Sequence, residues 1–197
     1  MFEHRRALII CIALLSCASI VCAITPLDHS IFHTATRYRS FGQAVTLFTN
    51  LGRMDVLAPI ALLCAAVVSL RQRTSQPIML TGIAAICAPS TSHTLKNLVQ
   101  RPRPDTIFAV SPYETSWSFP SGHSLNAVVV AGILALLVST AWAYWSAALF
   151  AFLMGISRVY LGHHWPSDVF AGWALGVAWI ALFTFLVTRR SAKPLSH

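Results

Sequence analysis

Residues Leu125–Ser157 read LNAVVVAGILALLVSTAWAYWSAALFAFLMGIS, a nearly unbroken apolar run of 33 residues. As one helix it would be about 50 Å long, whereas the hydrocarbon layer of a bilayer is about 30 Å thick. The run therefore folds back on itself. Trp142, Tyr144 and Trp145 sit near its middle, where amphipathic rings at a membrane interface mark a turn. Two spans, 121–140 and 141–160, follow from this stretch.

Working outward, windows at 7–27, 51–70, 77–95 and 169–188 each supply close to the roughly 20 apolar residues that a spanning helix needs. The window at 51–70 has the shortest clean core, because Arg53 and Asp55 fall in its first turn. The expectation is an all-α integral membrane bundle of six spans, one domain over 1–197. Composition agrees: 56% of residues are hydrophobic and only 10% charged, against roughly a quarter charged in soluble domains. A mean hydropathy of +0.65 excludes intrinsic disorder. The net charge of +8 does not indicate a nucleic-acid partner, because the basic residues stand singly or in pairs between apolar runs. Cys11, Cys17, Cys22, Cys64 and Cys87 all lie in apolar stretches without CxxC spacing. They read as small buried hydrophobes, not disulfides or zinc ligands.

Orientation follows from basic residues near the span ends. One side receives Arg5, Arg6, Arg71, Arg73, Arg189, Arg190 and Lys193; the other receives Arg37, Arg39, Arg53, Lys96, Arg101, Arg103 and Arg158. The counts are equal. Setting Lys96, Arg103 and Arg158 aside as site residues tips the balance and makes both termini cytoplasmic. Arg5-Arg6 ahead of an apolar stretch ending at Val21-Cys22-Ala23 also has the pattern of a cleaved signal peptide. That stretch is longer than a signal core and five spans follow, which favours a retained helix.

The polar residues gather in three places: Lys96–Pro104 (KNLVQRPRP), Pro120–His123 (PSGH) and Ser157–Asp168 (SRVYLGHHWPSD). These are the end of span three, the start of span four and the junction of spans five and six. In an antiparallel path all three lie on one membrane face, and charge near bilayer depth is costly enough to be functional by default. Lys96, Arg103 and Arg158 suit a phosphate, and Pro120-Ser121-Gly122 opens a helix whose N-terminal amides favour an anion. The bland alternative is an ordinary N-cap with basic interfacial anchors.

A nucleophilic imidazole needs its second nitrogen held by an acceptor, which Asp168 can provide to His164. Pro166 intervenes, so span six begins near it, with Asp168 in the first turn, where the helix dipole also favours a carboxylate. His163 competes with His164, and spacing alone leaves the choice open. His123 can serve as general acid and then base, or simply cap the bundle mouth. His29, His33 and His93 read as interfacial. Three cations beside the imidazoles oppose a divalent metal and suit an anion, so no metal or cofactor is expected.

Together these residues resemble the signature motifs of the type 2 phosphatidic acid phosphatase superfamily, which also contains vanadium haloperoxidases and glucose-6-phosphatase. Lys96 to Arg103-Pro104 matches Lys-x6-Arg-Pro, Pro120–His123 matches Pro-Ser-Gly-His, and Ser157-Arg158, His164 and Asp168 match Ser-Arg-x5-His-x3-Asp. The resemblance selects His164 over His163. It implies a metal-independent reaction in which His164 attacks phosphorus, Asp168 orients it and His123 protonates the leaving group. Lys96, Arg103, Ser121, Gly122 and Arg158 would hold the phosphoryl oxygens.

The small six-span plan also resembles bacterial phosphatidylglycerophosphate and undecaprenyl-diphosphate phosphatases. It implies a lipid phosphate substrate in a bacterial-type plasma membrane, cleaved at the extracytoplasmic face, with the balance slightly toward undecaprenyl diphosphate. The rival readings are a phosphotransferase that passes the phosphoryl group to another lipid or glycan, and a non-enzymatic anion or lipid transporter. Phe41, Val45 and Phe48 suggest a short interfacial helix beside the entry, or an external cap. The loop Asp105–Phe119, with Tyr113 and Trp117, reads as a lid or head-group selector, or as a passive linker.

Overall fold

The structure, a computed structural model, describes residues 2–37 and 39–191, with side chains described over 6–37 and 39–185. Lys193, and the side chains of Arg5, Arg189 and Arg190 on which the orientation reading partly rests, lie outside the described residues. The described chain is helical: α1 (Phe2–Ile24), α2 (Leu27–Arg37), α3 (Gly42–Asn50), α4 (Met54–Gln72), α5 (Gln76–Val99), a 3₁₀ turn (Thr106–Phe108), α6 (Gly122–Val138), α7 (Ala141–Tyr160) and α8 (Pro166–Ser191).

The long apolar run does break, between α6 and α7. Ser139 adopts a left-handed conformation at φ 54° and closes α6, while the Thr140 hydroxyl accepts from the Ala143 N–H at 3.3 Å and opens α7. The turn thus falls just before Trp142, on two polar residues, with the aromatic rings in the first turns of α7. Likewise α8 starts at Pro166, the position that tolerates a missing N–H best.

Among the described residues, the stretches Arg6–Ile24, Met54–Gln72, Gln76–Val99 and Pro166–Phe185 are long and apolar enough to cross a membrane. The helix α6 has 17 residues and α7 has 20. Many of their outward side chains, such as Leu14, Leu63, Ile86 and Leu149, are exposed, as expected where lipid replaces water. Helices α6 and α8 form the centre, with α1 and α5 against α8, α5 and α7 against α6, and α4 against α5 and α6. A core of Ala84, Ala88, Leu125, Val129, Ile133 and Phe183 joins α5, α6 and α8. Close approach of α6 and α8 depends on small residues. A Cβ at Gly172 would stand 2.7 Å from the Ser121 carbonyl oxygen, and one at Gly176 would stand 2.6 Å from Val128 Cβ.

The segment between α1 and α4 differs from the expected single interfacial helix. It holds two helices, α2 and α3. The expected helix is α3, whose Phe48 packs edge-on against Phe150 of α7. Helix α2 carries a carboxylate, Asp28, that is 2% exposed.

Candidate active site

The C-terminal end of α5, the N-terminal end of α6 and the α7–α8 junction meet at one end of the bundle and bring the three polar clusters together. His164, 1% exposed, points Nδ1 at Asp168 Oδ2 (3.5 Å) and at the Ser118 hydroxyl (3.4 Å). Its Nε2 faces Nη1 of Arg103 at 3.1 Å. The ring is thus held on one nitrogen and presents the other to a guanidinium. His163 is engaged elsewhere: its Nε2 meets the Val110 carbonyl at 2.8 Å. The neighbouring imidazoles, equivalent by chemistry alone, are separated by their partners.

Asp168 is fully buried and does several jobs. Oδ2 accepts from the Trp165 N–H at 3.0 Å, capping the start of α8, and from the Ser118 hydroxyl. Oδ1 lies 2.7 Å from Nη1 of Arg101, and its backbone carbonyl accepts from the Ser121 N–H at 3.0 Å, tying α8 to the opening of α6. Ser121 is buried and accepts from the Ser124 hydroxyl at 2.9 Å. Gly122 lies beside Ser92 Oγ, which a Cβ there would approach to 3.1 Å.

The three cations share one partner segment, Glu114–Ser118. Arg158, 1% exposed, gives Nη2 to Glu114 Oε1 at 2.6 Å and Nη1 to the Thr49 hydroxyl at 3.2 Å. Arg103 donates to the carbonyls of His163 and Ser116, both at 2.6 Å, and reaches Glu114 Oε2 at 3.5 Å. Lys96 donates to the Ser116 hydroxyl at 3.3 Å and to the Trp117 carbonyl. The loop Asp105–Phe119 is therefore no passive linker; it lies against the cationic site.

Electrostatics follow from this packing. Burial, reinforced by Arg103, Arg158 and Lys96, holds the His164 imidazole well below its ordinary pKa, so it stays neutral and nucleophilic. Burial and Arg158 likewise push His163 down to about 4. Burial opposes ionisation of Glu114, but Arg158 and Arg103 outweigh it and hold its carboxyl below the ordinary value. Burial lowers the Arg103 guanidinium as well.

Beside the cations opens a chamber of about 580 Å³. Its lining includes His123, Gly122, Asn126, Arg158, His163 and Glu114, together with Arg53, Asp55 and Tyr113. His123 thus faces an accessible space. His93 is exposed and meets the Asn97 amide at 3.3 Å. His29 and His33 lie outside against Trp165 and Phe108.

Sequence reasoning missed Arg101, Asp28, Glu114 and Ser118. Arg101 bridges Asp168 and Asp28, the latter at 2.8 Å, and Asp28 in turn accepts from the Ser167 N–H at 2.8 Å. A lone acid just past an apolar span was the available signal, since a buried carboxylate requires a cation.

A membrane helix bundle that gathers an imidazole facing Asp168, three cations and a helix N-terminus at one end has the makings of a phosphoryl-transfer enzyme. The PAP2 superfamily model matches residues 77–192, and the chain belongs to this superfamily. It is 32% identical over 176 residues to phosphatidylglycerophosphatase B of Bacillus subtilis, covering 84% of this chain and 83% of that protein. It is 31% identical to an undecaprenyl-diphosphatase of Sulfolobus acidocaldarius over 71% of this chain and 67% of the relative. The crystal structure of the transmembrane PAP2 type phosphatidylglycerolphosphate phosphatase from Bacillus subtilis superposes with a TM-score of 0.79 at 29% identity, over 99% of this chain and 100% of that one. Aquifex aeolicus LpxE superposes at 0.68 with 25% identity, over 83% and 97%. The protein is a multi-pass membrane enzyme, a phosphoric-ester hydrolase.

Proposed function

We propose that this lipid phosphatase releases the terminal phosphate of a membrane lipid phosphate or diphosphate through a phosphohistidine on His164. Phosphatidylglycerophosphate and undecaprenyl diphosphate are the substrates that its relatives' names suggest. Nε2 of His164 attacks phosphorus in line as the ester P–O bond breaks, and His123 protonates the departing oxygen. His123 then takes a proton from water, whose oxygen attacks phosphorus as the P–N bond breaks. The net products are the lipid alcohol, or lipid monophosphate, and inorganic phosphate. Lys96, Arg103, Arg158 and the Ser121-Gly122 helix opening hold the equatorial oxygens. Asp168 keeps the Nδ1 proton in place and supports the imidazolium.

The observation that carries this reading is the two-sided arrangement of His164, with Asp168 at 3.5 Å on Nδ1 and Arg103 at 3.1 Å on Nε2. In the same reading the chain is one six-span domain, α1 and α4–α8 crossing the bilayer, both termini cytoplasmic and the site extracytoplasmic. Arg71 and Arg73, at the far end of α4 from the site, support that orientation. The test is phosphate release by purified protein from a lipid panel with chelator present. His164→Ala abolishes turnover, and the wild type traps acid-labile phosphate on the protein. Near-normal turnover by that variant removes the nucleophile assignment. Phosphate transferred to an acceptor lipid in place of water makes the protein a transferase.

A further inference from the structure

Resting on the phosphatase reading, we infer that the 580 Å³ chamber beside His123 is the leaving-group subsite and that it selects esters of a hydroxyl-bearing alcohol over diphosphates. The space borders the residue proposed to protonate the leaving oxygen, so whatever departs from phosphorus enters it.

The walls are polar and partly unsatisfied. Asn126 stands three residues after His123 on α6, so the two share a face. It is 7% exposed, and its Oδ1 is buried without a hydrogen-bond partner. Arg158, also a wall residue, leaves Nε buried and unpartnered. Asn50 adds an amide, while the Thr49 hydroxyl is already engaged by Arg158, Ser157 and Met154. A buried amide without a partner costs stability, and a hydroxyl of an entering head group would satisfy it.

The charges point the same way. The two cations in the walls already have carboxylate partners: Arg158 is 2.6 Å from Glu114 and Arg53 is 2.7 Å from Asp55. Both carboxylates also line the chamber. Lys96 and Arg103 do not line it. Once a phosphoryl group takes Arg158, the chamber keeps Glu114 and Asp55 against Arg53 alone. A diphosphate's leaving group is itself a phosphate, joined to the attacked phosphorus through a single oxygen, and it would meet Glu114 with no cation in reserve. An alcohol leaving group brings no charge to that spot, and its hydroxyl meets Asn126. A site built from hydrogen-bonding groups and like charges discriminates by both.

The experiment compares kcat/KM for phosphate release from phosphatidylglycerophosphate and from undecaprenyl diphosphate, using purified full-length protein in one detergent. Hydrolysis of p-nitrophenyl phosphate, with His164→Ala as blank, reports the phosphatase reading separately. The expected wild-type preference for the alcohol ester is about tenfold or more, the scale of one well-placed hydrogen bond. Asn126→Ala shrinks that ratio by lowering the ester rate, and Glu114→Gln, which keeps a hydrogen-bonding group beside Arg158, shrinks it by raising the diphosphate rate. Equal or faster hydrolysis of the diphosphate by the wild type overturns the inference, as does a ratio that neither variant moves. So does p-nitrophenyl phosphate turnover without phosphate release from either lipid. Absence of phosphate release from p-nitrophenyl phosphate and from both lipids alike overturns the phosphatase reading itself, and the subsite with it.

Discussion

The Arg101 guanidinium stands 2.7 Å from Asp168 and, through its other terminal nitrogen, 2.8 Å from Asp28. One cation therefore serves two buried carboxylates, one on α8 and one at the start of α2. Asp168 is the residue proposed to orient His164, so helix α2 is bound electrostatically to the proposed nucleophile. This gives the segment after the first span a role that its exposed surface does not suggest.

Arg101→Met leaves both carboxylates without a cation and costs about 3–5 kcal/mol of stability, read as a lower unfolding midpoint in detergent. Arg101→Lys keeps the charge but not the fork, and kcat falls on the order of 10- to 100-fold, the usual scale for a residue that positions another. KM changes little, because Arg101 does not touch the phosphate pocket. A variant with raised KM and normal kcat would place Arg101 in binding instead.

Stability declines as acid is added through an unusually high window. His163 is held down to about 4 in the fold against an ordinary 6.5, so below pH 6.5 the unfolded chain takes up a proton that the folded chain refuses. Stability is complete above 6.5 and is lost progressively toward pH 4; His164, also lowered, adds to the loss with the same sign. Unfolding midpoints measured across that range fall in the wild type and fall less in His163→Gln, which keeps a donor for the Val110 carbonyl. Equal slopes in the two proteins would assign the acid sensitivity elsewhere.

The sequence was legible where physics acts locally. The excess length of Leu125–Ser157 demanded a break, and the three polar clusters had to share a face whatever the packing. Partners set by tertiary contact were not legible. Arg101 looked like one more interfacial cation, because the carboxylates that claim it lie 73 and 67 residues away. Glu114 sat in a loop without periodicity, and its meaning came only from the arginines that close on it. The choice between His163 and His164 rested on family resemblance, because the Val110 carbonyl that meets one ring and the Asp168 that faces the other are tertiary partners no spacing reveals. The Gly172 and Gly176 spacing on α8 was a readable sign of close helix packing that the hydropathy windows hid.

That packing is itself testable. A Cβ at Gly172 would lie 2.7 Å from the Ser121 carbonyl oxygen and 3.0 Å from Ser124 Cβ, so Gly172→Ala pushes the opening of α6 away from Asp168. The expected cost is about 1–3 kcal/mol, with phosphatase activity falling alongside the unfolding midpoint. Gly82→Ala is the control, since nothing lies within 4 Å of a Cβ there. If both variants behave alike, the close contact of α6 and α8 does not set the site.

The segment Glu114–Ser118 already bonds to all three cations proposed to hold phosphate, so an incoming phosphate competes with the protein's own groups. Glu114 is the charged competitor, 2.6 Å from Arg158 and 3.5 Å from Arg103. Removing its charge in Glu114→Gln keeps a hydrogen-bonding amide but gives up the ion pair. Inorganic phosphate and orthovanadate should then inhibit at concentrations lower by about tenfold, equivalent to about 1.4 kcal/mol, with the shift largest at low ionic strength. Inhibition constants measured against p-nitrophenyl phosphate for the two proteins give the answer. Unchanged or weaker inhibition in the variant would mean that the Glu114 carboxylate supports the anion site by orienting Arg158, and does not compete for it.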